Sequence, residues 1–397
     1  VNKNSLPRFI LYFSLFLTPL FLFALQLQHP EYGYVVDIPE GWEVVDVEGN
    51  TASFSDPTGR AVFQVSAFPT NTYRSLDDLV ADTIEGLAAE GETAEFSFHG
   101  AKAVFADLAF TAGRFPARGY FVFCTIGENR FVLNAFVAQS AYERFHDVLI
   151  SCVDSFAADD ALMLPGAVSQ FYYPYPAPDP TEFSIEVPGE TRIVYEDPGA
   201  ADAIQVLIER EARILSTYTE GWEEAWRRYY RIVFRECHLR FVPYALILES
   251  AFEAHVRENH DTANGPLDRR FGATTDPAGY AAFLLEWLQG FGYERRQWTV
   301  SDLISPIRAV LDHTGDCDAR ALIFVSLLEH AGIDAVLMVS RRHAHAMGAC
   351  DVSGPGARFP FEEKRYLVAE LTDRVELGLI AQDMADPAGW LGVQLGR

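Results

Sequence analysis

Short, largely apolar runs bounded by turn residues recur through the first 140 residues, and Ala61–Phe68 alternates as a strand does. Tyr34–Pro39, Trp42–Val47, Thr51–Phe54 and Ala61–Phe68 read as strands, with Asp56-Pro57-Thr58-Gly59 as a turn between the last two. The period then changes. Leu76, Leu79, Val80, Ile84 and Leu87 fall on one face of a helix opened by the capping pair Ser75 and Asp78. Further strand candidates follow at Ala94–Phe98, Ala103–Phe110, Tyr120–Cys124 and Arg130–Val137. Tyr142, Phe145, Leu149, Cys152 and Phe156 then mark a closing helix. This order predicts an antiparallel sheet with flanking helices over residues 32–158.

Residues 159–200 form a join. Phe171–Pro180 is rich in Pro and Tyr and reads as an extended linker. Phe183–Val187 and Thr191–Tyr195 read as a hairpin around Pro188-Gly189. From 203 the pattern is helical. Ile204, Leu207, Ile208 and Ile214 make one face, and Trp222, Trp226, Tyr229, Tyr230 and Val233 the next. Pro243–Val256 and Ala278–Tyr293 follow, the latter ending at Gly290–Gly292. The chain as a whole is therefore expected to be α+β, with a helical connecting region between the N-terminal sheet and a C-terminal core. Cys237-His238 is read as structural, because successive residues on a helix do not face each other.

Composition narrows the function. The 397 residues leave room for two or three domains, and 49% are apolar. The formal net charge of −25 argues against nucleic acid as a partner and against docking on an anionic membrane surface. Five cysteines make no disulfide framework, although Cys124 and Cys152 fall within one predicted domain. Lys3 and Arg8 precede an apolar run from Phe9 to Leu25. This is the pattern of a signal peptide or an uncleaved membrane anchor over residues 1–28, and it predicts an exported protein of the periplasm or cell envelope.

The chemistry gathers in the last quarter. Gly315-Asp316-Cys317-Asp318-Ala319-Arg320 leads into an apolar helical run that stops near Gly332. A thiol at a helix N-terminus faces unpaired N–H groups and the positive end of the dipole, which favours thiolate. His343-Ala344-His345 and, later, a strand candidate carrying a carboxylate complete the set of cysteine, histidine and acid used for acyl transfer through a thioester. On a continuous strand positions 343 and 345 share one side, so spacing does not choose between them. Tyr366, Val368 and Glu370 alternate onto one strand face. His343 and His345 with Cys317 or Glu370 also offer a zinc chelate, but that reading leaves the Cys317 helix without a role. No cofactor is implied.

Phe283–Gln289, Tyr293, Pro306, Gly315–Asp318, Leu327-Leu328 and Ala331-Gly332-Ile333 together resemble the transglutaminase-like superfamily, in its bacterial branch with a papain-like core. The likeness covers residues 278–375, inside a domain expected over 203–397. The resemblance implies Cys317 as nucleophile, His345 as base with His343 as the alternative, and Glu370 as the orienting acid with Asp373 as the alternative. It implies the Cys317 backbone N–H and Gln297 or Trp298 as oxyanion donors, and Tyr293 in the pocket. Met347 stands where that pattern has Trp. In the N-terminal part, Gly33-Tyr34, Ile38–Trp42 and Phe54–Pro57 are similar to PsbP-like domains, which implies a non-catalytic sandwich of sheet and helices. The expected function is hydrolysis of an amide or peptide bond in a peptide or protein of the cell envelope. Hydrolysis is favoured over crosslinking because water is always at hand outside the cell. The alternative is a non-catalytic envelope scaffold.

Overall fold

The computed structural model describes residues 25–39, 41–98, 101–158, 179–218, 221–259, 276–296 and 300–395. The expected signal or anchor falls almost wholly outside these residues, and so does most of the Pro/Tyr-rich run. No helix among the described residues is long and apolar enough to cross a membrane. The fold is mixed α+β. It divides into two compact units, one of residues 1–161, 166–170 and 214–228, the other of 162–165, 171–213 and 229–397.

The first unit opens with a hairpin of β1 (Leu25–Gln28) and β2 (Val35–Ile38). Next come β3 (Glu43–Glu48), β4 (Thr51–Ser55), β5 (Ala61–Pro69), α1 (Leu76–Leu87), β6 (Glu90–Phe98), β7 (Ala101–Ala112), β8 (Phe115–Ile126), β9 (Asn129–Ala138) and α2 (Tyr142–Asp154). Strands β3 to β9 make one antiparallel sheet in the order β3-β4-β5-β9-β8-β7-β6. Alternation along each strand supplies both faces. On β8, Val122 and Cys124 point to the layer that α2 covers with Leu149, Cys152 and Val153. Phe121 and Phe123 point to the layer that α1 covers with Leu79. Ser75 caps α1 by accepting from Asp78 N–H at 3.0 Å. Gly119 admits the neighbouring strand: a Cβ there would lie 2.1 Å from the Ala135 carbonyl oxygen. Cys124 and Cys152 are buried free thiols, not a disulfide.

The second unit begins with the hairpin β10 (Thr181–Val187) and β11 (Glu190–Glu196). It continues through α3 (Ala200–Leu215), α4 (Trp222–His238), α5 (Val242–Asn259) and α6 (Pro277–Gln289). Short β12 (Gly292–Tyr293) pairs in parallel with β13 (Thr314–Gly315), with α7 (Pro306–Asp312) between them. Then come α8 (Cys317–His330), β14 (Ala335–Ser340), β15 (His345–Cys350), β16 (Arg358–Phe361), β17 (Lys364–Ala369) and β18 (Leu391–Val393). These last five strands form an antiparallel sheet in the order β16-β17-β15-β14-β18. Helix α8 is buried along nearly its whole length, and Phe324 packs onto Gly348 of β15. A Cβ at 348 would come 2.5 Å from the Phe324 ring, so glycine lets the helix lie close to the strand. Val336, Met338, Met347, Val368 and Trp390 fill the opposite face of the sheet. Met347 is thus a buried core residue.

His238, at the end of α4, stacks on His330, at the end of α8, with ring centroids 4.1 Å apart and 15° between planes. His330 Nε2–H donates to the His238 carbonyl at 2.8 Å. Burial, and then the neighbouring imidazole, push His238 from the ordinary 6.5 down to about 3. The unfolded chain therefore binds this proton more readily below pH 6.5. Stability is full above that pH and is lost as pH falls, by about 2 kcal/mol at pH 5. Urea unfolding at pH 7.5 and pH 5 checks this. His238→Gln is expected to remove that share of the pH dependence, and an unchanged slope would contradict it.

Candidate functional site

The site grows from the N-terminus of α8. Asp316 is the N-cap, extended in backbone (φ −79°, ψ −178°), and its Oδ1 accepts from Ala319 N–H at 2.7 Å. Cys317 is the first helical residue, as its sequence context predicts, and it is 0% exposed. The pairing of β12 with β13 brings Tyr293 beside Gly315, two residues before the cysteine.

Arg320, one turn along α8, holds three segments of the site together. Its buried guanidinium donates to Gly315 O at 3.1 Å, Phe291 O at 2.9 Å and Leu371 O at 3.1 Å. It thereby ties the approach to Cys317 to the segment after β12's predecessor helix and to the residue following Glu370. Arg320→Met keeps the apolar stem and strands three carbonyls. It is expected to lower the unfolding free energy by about 3 kcal/mol or more, measured by urea denaturation; a loss under about 1 kcal/mol would show that water replaces the guanidinium.

The two histidines separate. Strand β15 starts only at His345, and residues 341–344 form a turn with Ala344 in the left-handed region (φ 47°). His343 and His345 therefore do not share a strand face, contrary to the reading of a continuous strand. His343 stacks on Trp390 at 5.5 Å between centroids, and its Nε2 has no hydrogen-bond partner. His345 meets Glu370: Nε2 lies 2.8 Å from Oε2. The edge of Trp390 also packs on His345, at 6.2 Å and 66°.

Glu370 sits just past the end of β17 and is buried. Its other oxygen accepts from Thr372 N–H at 2.8 Å and Thr372 Oγ1–H at 2.6 Å. Gln289 Nε2, from the end of α6, donates to Glu370 O at 2.8 Å and Val375 O at 2.9 Å. Burial alone would raise this carboxyl, but the pull of His345 and the two Thr372 donors outweighs it and holds Glu370 below its usual range. Asp373 is exposed and outside this arrangement.

The sulfur of Cys317 lies against the backbone N–H of Ala346, the residue after His345. Its neighbours also include Asp318 Oδ2 at 3.5 Å and Arg295 Nη2 at 3.8 Å. Burial, then the charges of Asp318 and Asp316, raise the thiol well above its ordinary range, against the opposing pull of Ala346 N–H and Arg295. The acidification expected from the helix N-terminus is thus outweighed: desolvation and two flanking carboxylates exceed a dipole effect of about 1 kcal/mol. These surroundings favour the protonated thiol over the thiolate.

Several participants escaped sequence reading. Arg295 also donates to Ala344 O at 3.3 Å and pairs with Asp302 at 3.5 Å. The Tyr230 hydroxyl of α4 hydrogen-bonds Asp318. Trp390 and Gln289 reach the site from far along the chain. Gln289 closes the Phe283–Gln289 run and Tyr230 lies on an expected helix face, but nothing local marks the place of any of the four at the site, because each arrives by tertiary packing. Tyr293, 56% exposed, lies beside Arg320 and hydrogen-bonds Arg295, so it does border the site. Gln297 and Trp298 lie outside the described residues. Among the described residues, Asp302, Asp316 and Asp318 form the one group of three possible metal-binding side chains, with oxygens within 4.8 Å of one another. They are engaged by Arg295, Ala319 N–H and Tyr230 respectively. The histidines with Cys317 or Glu370 form no such group.

No protein-family model matches the chain, and no curated protein matches it. Solved structures with partial likeness include the cyanobacterial PsbP protein (CyanoP) of Synechocystis, at 14% identity and TM-score 0.29, covering 36% of this chain and 98% of that one. A protein of unknown function from Pseudomonas aeruginosa is 16% identical, with TM-score 0.22, over 31% of this chain and 88% of that one. A protein from Bacteroides thetaiotaomicron is 11% identical, with TM-score 0.25, over 55% and 78%. The resemblance to PsbP is distant, and none of these likenesses extends to an activity.

Proposed function

We propose that this chain is a cysteine enzyme of the transglutaminase-like type, which cleaves an amide or peptide bond through a thioester. The observation that carries the reading is the 2.8 Å contact of His345 with Glu370 at the strand end whose next residue, Ala346, holds the Cys317 sulfur. In this reading His345 takes the thiol proton while Glu370, pinned by Thr372, fixes the imidazole and offsets its positive charge. Sulfur attacks the acyl carbon, the imidazolium protonates the leaving amine, and water then hydrolyses the thioester. The acyl donor in this reading is a peptide or protein of the cell envelope, in keeping with the Lys3, Arg8 and Phe9–Leu25 pattern. Amine release from a mixed panel of short peptide amides, followed by mass spectrometry in wild type and Cys317→Ala, tests the reading.

A second reading, a non-catalytic scaffold, is favoured by one observation: Cys317 has no exposed surface. In that case the peptide panel is untouched by wild type and variant alike.

A further inference from the structure

We propose that Arg295 is a catalytic residue of this site, the cation that stabilises negative charge first on the Cys317 sulfur and then on the oxygen of the acyl group. The inference rests on the reading of Cys317 as nucleophile and adds to it a donor that the Gly-Asp-Cys pattern does not contain.

The geometry is specific. Arg295 Nη2 lies 3.8 Å from Cys317 Sγ and 3.3 Å from Ala344 O, so one nitrogen spans the nucleophile and the turn that leads to His345. Nε lies 3.5 Å from Asp302 Oδ2, which fixes the other side of the guanidinium. The Tyr293 hydroxyl hydrogen-bonds the same group. The side chain is 40% exposed, so it borders both the buried sulfur and the solvent from which an acyl donor must come.

The charge around the sulfur explains why a cation is needed. Asp316 and Asp318, at the start of its own helix, disfavour a thiolate; Asp302 clusters with them, and the phenols of Tyr230 and Tyr293 add nothing positive. Of the groups facing the sulfur, Ala346 N–H and Arg295 act in the other direction. Arg320 is also cationic, but its donors are committed to three carbonyls. Arginine suits the task because its guanidinium stays charged and presents several donors in one plane.

The step balances. The Cys317 S–H bond breaks and its proton passes to His345. The sulfur lone pair forms the S–C bond, and the carbonyl π pair moves onto oxygen. That oxygen takes hydrogen bonds from Arg295 and from the Cys317 backbone N–H. On collapse the C=O bond re-forms, the C–N bond breaks, and the amine leaves with the proton from the imidazolium.

The test is the rate of Cys317 alkylation by iodoacetamide at pH 8, followed by intact mass, in wild type, Arg295→Ala and Arg295→Lys. Arg295→Ala is expected to react at least about tenfold more slowly, the equivalent of one pH unit in thiolate fraction. Arg295→Lys is expected to fall between, and low, non-denaturing guanidinium chloride is expected to restore the alanine variant where equal sodium chloride does not. Alkylation of Arg295→Ala as fast as wild type or faster overturns the proposal, because Arg295 is then only a cover. Slow alkylation that guanidinium leaves unchanged also overturns it, because the loss is then structural. Alkylation needs no substrate, so an Arg295 effect without any amide turnover would sink the enzyme reading, and with it the oxyanion role, and leave Arg295 only as the cation that stabilises the Cys317 thiolate.

Discussion

Cys317→Ala is expected to reduce amide-bond turnover by at least about ten-thousandfold, with little change in unfolding free energy. The scale follows from removing the nucleophile of a unit whose other members cannot act alone. The fold should tolerate the change, since a small buried side chain is exchanged for a slightly smaller one and the Asp316 cap is untouched. Steady-state rates on whichever peptide amide the wild type cleaves best give the first number, and urea denaturation gives the second. Turnover within tenfold of wild type would remove Cys317 from the mechanism. Loss of turnover together with unfolding would call for Cys317→Ser, which keeps the shape and replaces the sulfur by a poorer nucleophile.

Glu370→Ala is expected to lower kcat by about a thousandfold to ten-thousandfold, the cost of an imidazole left in the wrong tautomer and orientation. The native carboxyl is held below its usual range by His345 and Thr372. It is therefore ionised throughout the neutral range, and its stabilising contribution is present above about pH 4.3 and is lost as pH falls further. Glu370→Gln separates position from charge. The amide keeps an oxygen for the Thr372 donors but cannot balance an imidazolium, so kcat should fall while KM stays within a few-fold. Asp373→Ala, by contrast, alters an exposed residue outside the arrangement. An equal effect of Asp373→Ala on kcat would assign the acid role to the wrong residue.

The sheet-and-helix pattern of the first unit was legible because its strands read as short apolar runs bounded by turn residues and each helix carries a single apolar face. Ser75 announces α1, and Tyr142 to Phe156 announce α2. In the second unit the N-terminus of α8 was equally legible, from Gly315 and Asp316 before a long apolar run. What the sequence reading missed has two physical sources. The first is backbone shape: Ala344 adopts a left-handed conformation that no alanine announces, and it moves His343 off the strand and onto Trp390. The second is long-range electrostatics. A helix N-terminus reads as acidifying for Cys317, yet how deeply the sulfur is buried and how close Asp318 stands depend on the packed fold. Arg295 belongs to the same class. The pairing of β12 with β13 carries it to the sulfur.

The account depends on Cys317 being a reactive nucleophile governed by His345. Peptide mapping of the native protein after iodoacetamide treatment tests this directly. The predicted result is a single modified cysteine, Cys317, labelled more slowly in His345→Ala, with Cys124, Cys152, Cys237 and Cys350 unlabelled until the chain is denatured. A native protein in which Cys317 stays as unreactive as those four would contradict it.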